Sequence, residues 1–560
     1  MMVKGIESAQ SGFWFKRNCR LLSGDNKQET RGSNRRLVAV TFLAFALALS
    51  AAATGSSANY READSPVRKE KDPYEKIYNE AKKAVRDGNY EKAIKIYTEL
   101  LGKDEHNLQA HLGIALAYAK ALNFQGCYDH ANKAIEVDPN NARAHALAGL
   151  ALLRSGYVAT AVERLVQSVT INPKEALAFG AAAEVDYYEG RAREAHVKAL
   201  HAYNLDPTEP DYLVTLARAS SRLERFADAA DAYEEFLRIA PRTDRERRER
   251  IQGLVNFYRQ LVGVEVHQVN APASTDVPFD LGADRRPYVK LKVNGRDATF
   301  VIDTGSGFTV ISKDAAKRFG VSEIARGGKS QGVGGTGKFP IIYGLIKSLQ
   351  LGDARIRSIP CFIRPFHGTK ERPDEIGSDG FIGLSVLAHF LTELDYQTSV
   401  MRLVRQTQPS APVTASVDET VIPFRTTQNG LISIETELDG NHRINAILDS
   451  GASSTVISAA AVERLKMRDQ IIKGQTARVI GAAGVSDNVE LLFIRNCRVA
   501  GLTQNNMRAL VLDFGAINET SGFEQSGILG GDFLRHYRVT IDFSRAQVTL
   551  RPHTSPVRDK

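Results

Sequence analysis

Two stretches in the C-terminal half, Phe300-Val-Ile-Asp-Thr-Gly-Ser-Gly-Phe-Thr-Val-Ile-Ser312 and Ala446-Ile-Leu-Asp-Ser-Gly-Ala-Ser-Ser-Thr-Val-Ile-Ser458, repeat one another closely. Each sets a carboxylate, a hydroxyl and a glycine in a row between two short apolar runs. Asp303 and Asp449 are therefore expected on tight turns between buried strands. One such tripeptide would be an ordinary turn, but the surroundings repeat as well. Upstream, Val293-Asn294-Gly295-Arg296 and Leu438-Asp439-Gly440-Asn441 have the dipeptides that tolerate the positive φ angles of a hairpin turn. Downstream, Ser312 and Ser458 stand as N-caps before the helical patterns Lys313–Phe319 and Ala459–Leu465. Gly380-Phe381-Ile382-Gly383 then matches Gly527-Ile528-Leu529-Gly530, and Leu394-Asp395-Tyr396 matches Ile541-Asp542-Phe543. The offsets agree to within a residue or two, which is the signature of an internally duplicated domain.

Asp-(Thr/Ser)-Gly followed later by two bulky apolar residues and a glycine resembles the aspartic proteases, in their retropepsin-like and pepsin-like forms, over roughly residues 284–553. The resemblance implies a mainly-β bilobal domain in which Asp303 and Asp449 together form the catalytic pair. Thr304 and Ser450 would bond across to the opposite loop, and Gly305 and Gly451 would permit the turns. The chemistry needs both copies. A water must be made nucleophilic while a proton is supplied to the carbonyl oxygen and leaving nitrogen, so one carboxylate must be ionised while its neighbour is protonated. Two carboxyls held close cannot easily both ionise, and they titrate as a pair. Two lobes in one chain make an intramolecular dyad the simpler expectation; pairing of each lobe with a second chain is the alternative.

The glycine-rich segments Ser330-Gln-Gly-Val-Gly-Gly-Thr-Gly337 and Val479-Ile-Gly-Ala-Ala-Gly-Val-Ser486 follow the two turns at similar distances. We read them as flaps over an extended peptide substrate, with Gly332, Gly334, Gly335, Gly481 and Gly484 as the substrate-covering positions. Their bland reading is mobile surface hairpins. Neither holds the tyrosine found near the flap tip in pepsin-like enzymes; Tyr343 falls on the returning strand.

Upstream, Pro139, Pro173, Pro207 and Pro241 recur every 34 residues. Small residues keep the same period in two columns, Ala81, Ala115, Gly149, Ala183, Ala217 and Ala93, Cys127, Ala161, Ala195, Ala229. This resembles tetratricopeptide (TPR) repeats. The expected organisation is a multidomain chain: an all-α TPR solenoid at 74–262, closed by a capping helix at Asp244–Val262, then a bilobal aspartic-protease-like domain. Residues 263–283 are expected as a linker, 284–405 as lobe one, 406–419 as a second linker and 420–553 as lobe two. Both linkers suit hinged assembly. The resemblance implies a concave repeat face for a protein partner, with a spacer or dimerisation arm as the alternative.

The net charge of +8 invites an acidic partner until it is located. Residues 1–36 hold eight Lys/Arg against three Asp/Glu, so little excess remains for the rest. In Arg242–Arg250 the arginines alternate with acids as on a solvated helix. Nucleic-acid binding is not expected. Behind Arg35-Arg36, Leu37 to Tyr60 carries no charge, and Leu37–Ala53 is apolar. Residues 1–58 are read as a basic n-region plus an export signal, with cleavage near Ala51, Ala53, Ser56 or Ala58; a retained membrane anchor is the alternative. The folded part is thus expected to be periplasmic or extracellular. Cys361 and Cys497 fall at non-equivalent places in the two lobes and are read as buried thiols in preference to a bridge. No Cys/His cluster has metal-ligand spacing, and neither metal nor cofactor is expected. Function is read as aspartic endopeptidase activity on a substrate recruited by the repeats. The competing reading is a non-catalytic TPR scaffold whose protease-like lobes only bind peptide.

Overall fold

A computed structural model describes residues 72–332, 334–335, 337–365, 377–406, 418–482 and 484–553. The expected export segment, Cys19 and most of the second linker lie outside the described residues. Among those residues, eleven helices run from Glu75–Arg86 to Arg245–Leu261, and a mainly-β region follows. Every alanine and the cysteine in the two small-residue columns is fully buried. Paired helices approach so closely there that a Cβ on Gly149 would come within 2.8 Å of Leu165. The period also shows in the caps: Asn107, Asn141 and Glu175 each accept an amide from the first turn of the helix that follows. The array curls until its first hairpin meets its end. A Cβ on Gly88 would strike the Thr243 hydroxyl, and Lys120 Nζ reaches across to Asp211 at 2.6 Å.

The strands of the β region group into one 14-stranded and one 8-stranded sheet. Each lobe repeats one motif. Strand Arg296–Ile302 leads into the turn at Asp303 and pairs in parallel with Gly380–Ile382; strand His442–Leu448 leads into Asp449 and pairs in parallel with Gly527–Leu529. The preceding hairpins turn as their sequences require, with Asn294, Gly295, Asp439 and Gly440 all at φ between 50° and 84°. Between the lobes, Phe390–Asp395 pairs antiparallel with Tyr537–Asp542, the two equivalent strands of the duplication. The lobes are thereby joined in one sheet, and Arg538 donates to Asp395 across the joint at 2.6 Å.

Three expectations need correction. Residues 263–283, expected as a linker, contain strands Gln268–Asn270 and Ser274–Leu281, which pair with lobe-one strands and tie the repeats to the sheet. The alternation at Arg242–Arg250, expected on a solvated helix, is half turned inward. Arg247 bonds Asp211, Arg248 caps the carbonyls of Leu237 and Ala240, and Arg250 reaches Glu519 in lobe two.

Hinged assembly is not what the contacts describe either. The array straddles both lobes. On lobe two, Arg154 donates to the Gly522 carbonyl, Tyr187 to that of Gln428, and Arg222 to the Thr426 hydroxyl. On lobe one, the last helix of the array crosses the hairpin formed by Ser322–Gln331 and Lys338–Leu351. The crossing is glycine on glycine: a Cβ on Gly253 would lie 2.5 Å from Gly327 Cα. Beside it Phe257 stacks on Tyr343, ring centroids 4.3 Å apart, and Lys338 pairs with Glu246 at 2.9 Å.

Candidate active site

Asp303 and Asp449 sit at the ends of equivalent strands, and the same device turns each chain sharply. The Asp303 amide donates to the Ile382 carbonyl and that of Asp449 to Leu529, both at 3.0 Å. The glycine closing each apolar-apolar-Gly element then passes directly under the aspartate turn. A Cβ on Gly383 would lie 2.2 Å from the Phe308 carbonyl oxygen, and one on Gly530 would lie 2.6 Å from that of Ser454. Only glycine lets the chain slide beneath the loop it supports.

The two turns meet face to face. A Cβ on Gly305 would fall 2.2 Å from the Asp449 carboxyl, and one on Gly451 would fall 2.6 Å from that of Asp303. Thr304 and Ser450 lock this arrangement. The Thr304 amide donates to Ser450 Oγ at 3.1 Å and the Ser450 amide to Thr304 Oγ1 at 2.9 Å. Each hydroxyl passes its proton to the main chain of the other lobe, Thr304 to Leu448 at 2.8 Å and Ser450 to Ile302 at 2.7 Å. One chain therefore supplies both halves of the site.

The carboxyls face each other across the two turns, and both titrate above the ordinary carboxylate value. Burial is the main cause for each, since ionisation without water is costly. The pair is not symmetric. Asp449 Oδ1 accepts the amides of Gly451 at 2.8 Å and Ala452 at 3.0 Å, which favour its charged form. Asp303 is raised well above the usual range by burial and by the charge of Asp449, with Arg364 opposing the rise. The two carboxyls titrate as a pair, and the two amides on Asp449 favour the charge on that side.

The glycine-rich hairpins converge tip to tip. A Cβ on Gly332 would lie 2.5 Å from Ala482 Cβ, and one on Gly334 would lie 2.9 Å from Gly481 Cα. Gly334, Gly335 and Gly484 adopt φ values of 77°, 141° and 125°, open to glycine and strained for other residues. Gly481 and Gly484 are paired across the second tip. Beneath the tips runs a cavity of about 2740 Å³ whose walls include the dyad, Gly332, Gly334, Gly481 and, on its far side, inner-helix residues of the repeats such as Leu150, Gly180 and Arg218. The concave face of the array and the cleft at the two aspartates are thus one space. Among the described residues no group of side chains could hold a metal ion. Cys361 and Cys497 are free and buried, and burial pushes each thiol up to about 12.

Sequence reasoning missed three elements of the site. Arg364 lines the cavity and acts on Asp303. Arg286 is fixed by Asp284 and the Tyr288 hydroxyl. The third is the crossing of Gly253 over Gly327. The duplication itself held the clue to Arg364. Ser312 pairs with Arg364 where Ser458 pairs with Leu512, so the arginine breaks the internal symmetry.

This fold and this paired turn define a bilobal aspartic-protease domain, carried behind a helical-repeat array. An aspartyl protease family model matches residues 289–386 and 434–533, once per lobe, and a tetratricopeptide repeat model matches residues 84–151. The chain therefore carries an aspartyl protease domain and TPR repeats. Among solved structures it is similar to an aspartic proteinase from Irpex lacteus, at 15% identity over 50% of this chain and 98% of that one, with a TM-score of 0.34. It is also similar to a thermophilic TPR protein of Thermus thermophilus, at 17% identity over 34% of this chain and 99% of that one, with a TM-score of 0.28. No curated protein matches it.

Proposed function

We propose that the chain is an aspartic endopeptidase in which Asp303 and Asp449 are the catalytic residues. The observation that carries this reading is the facing of two carboxyls on equivalent turns, each set against the glycine of the other turn and locked by Thr304 and Ser450. Asp449, charged and held by two amides, is the base that takes a proton from water. Asp303 is the acid that gives its proton to the peptide carbonyl oxygen. The tetrahedral intermediate collapses as the proton gained by Asp449 passes to the leaving nitrogen, the C–N bond breaks and one hydroxyl of the diol returns its proton to Asp303, which restores the pair.

Gly332, Gly334, Gly335, Gly481 and Gly484 cover an extended substrate with main-chain hydrogen bonds and exclude water. The tips must part to admit it. The repeats recruit the substrate, and the shared cavity supports a polypeptide lying along their concave face with its scissile bond at the dyad. Export belongs to the same reading: the uncharged run Leu37–Tyr60 behind Arg35-Arg36 supports translocation, which would place the enzyme in the periplasm or outside the cell. A membrane anchor is kept only if that run is not cleaved; among the described residues no helix is long and apolar enough to span a bilayer.

The test is a peptide mimic whose scissile bond is replaced by a secondary hydroxyl. It should compete with hydrolysis of an unfolded protein substrate in acid. Hydrolysis untouched by saturating mimic, and blocked instead by serine or cysteine reagents, would remove the proposal.

A further inference from the structure

The two halves of the cleft are built to one plan and lined differently. Phe381 and Ile528 occupy equivalent positions, paired in parallel with Val301 and Ile447 on the strands that end at the dyad. Arg364 and Leu512 are likewise equivalent, opposite Ser312 and Ser458. In lobe two the group is wholly apolar: Leu512 packs with Ile447, Val456, Phe514 and Ile528. In lobe one the leucine is replaced by a guanidinium, its carbon 5.9 Å from the centre of the Phe381 ring.

Among the described residues no acidic side chain hydrogen-bonds that guanidinium. Arg364 Nε is buried with no hydrogen-bond partner among the described residues. Another lobe-one cation lining the cavity, Arg286, is satisfied by Asp284 and Tyr288. Among the described residues Arg364 has no such counter-acid; burial holds its guanidinium below the usual value, and nearby Asp303 opposes this. A buried cation without a partner is costly. A planar fork of donors aimed into a cavity is suited to two carboxylate oxygens.

We propose that the cleft reads the two residues flanking the scissile bond differently, taking an acidic side chain against Arg364 on lobe one and an aliphatic side chain against Leu512 on lobe two. This deepens the proteolytic reading and rests on it. The substrate class is then a polypeptide with Asp or Glu beside Leu, Ile or Val at the cut. The carboxylate of the substrate completes the half-satisfied arginine, and the aliphatic neighbour fills the apolar group across the dyad.

The experiment uses the full chain and octapeptides whose central bond is a non-hydrolysable methylene-amine. They carry Leu on one side of that bond and Glu or Gln on the other, in both orders. Fluorescence anisotropy at pH 6 gives each Kd. In one order Glu should bind about tenfold or more tighter than Gln, and Arg364→Met should bring that ratio to about one. Arg364→Lys, which keeps the charge and loses the fork, should retain part of it. Equal binding of Glu and Gln peptides in both orders would overturn the proposal, as would a ratio that survives Arg364→Met. An arginine that serves only to tune Asp303 gives the latter result. Hydrolysis of the all-amide peptides is followed separately. Discrimination without hydrolysis sinks the protease reading and leaves the subsite; hydrolysis without discrimination does the reverse.

Discussion

Thr304 and Ser450 are reciprocal partners: the amide of each donates to the hydroxyl of the other, and each hydroxyl donates onward to the main chain of the opposite lobe. The hydroxyls are therefore part of the joint between lobes as well as of the aspartate turns. Ser450→Ala strands the Thr304 amide and the Ile302 carbonyl in a buried site. A buried polar group left unsatisfied costs about 1–3 kcal/mol. The expected result is a clear fall in the thermal midpoint and in hydrolysis together, with Ser450→Thr close to the parent in both. Differential scanning calorimetry and a peptide assay on the same preparations check it.

The dyad stores an electrostatic cost that a neutral side chain should release. Both carboxyls are held above the ordinary carboxylate value by burial. The stability tied to their protonation is present below that ordinary value and is lost as pH rises through the folded values. Each tenfold change in proton affinity corresponds to about 1.4 kcal/mol. Asp303→Asn removes the loss and can still donate to Asp449. Its thermal midpoint should exceed that of the parent at pH 8, and the two should merge near pH 3. A variant that is less stable than the parent at pH 8 contradicts the paired geometry.

Alanine normally stabilises a helix relative to glycine, by about 1 kcal/mol. At Gly253 the sign should reverse. Its Cβ would meet the backbone of Gly327 on the lobe-one hairpin at 2.5 Å, and backbone cannot move aside as a flexible side chain would. Gly253→Ala should therefore lower stability and loosen that hairpin. Faster amide exchange at 322–331 and at 338–345, with exchange in the lobe-two hairpin unchanged, is the expected pattern.

The stacked pair Phe257 and Tyr343 carries the same contact through side chains. Both are buried, so Phe257→Ala opens a void in the joint and should cost about 3–5 kcal/mol. Because Tyr343 lies on the strand returning from the first flap, the loss should also raise the KM for long peptides more than for short ones. Steady-state kinetics on a length series measures it.

Much of this was legible in the chain because duplication and periodicity are properties of sequence. The facing turns, the matching hairpins at Asn294 and Asp439 and the small-residue columns all stand at the spacings the sequence sets. What stayed hidden was relative placement. Nothing in the glycine of Gly253 announces that it crosses Gly327, since both fit an ordinary helix or strand. Residues 263–283 read as a linker because Pro, Ala and Ser punctuate them. Yet their strands are held by pairing with partners a hundred residues away, as Val277 with Met401. Arg247, Arg248 and Arg250 looked solvated because alternating charge is the mark of an exposed face, and partners outside their own helix overrode it. Arg364 could have been found by laying one lobe over the other and asking where the copies differ.

The most direct test of the central claim is hydrolysis of an unfolded protein substrate across pH 3–7 by the full chain and by Asp303→Asn and Asp449→Asn singly. Each variant alone is expected to lose hydrolysis by at least about a thousandfold while remaining folded, since neither carboxyl can serve as both acid and base. Full hydrolysis by both single variants would contradict the account.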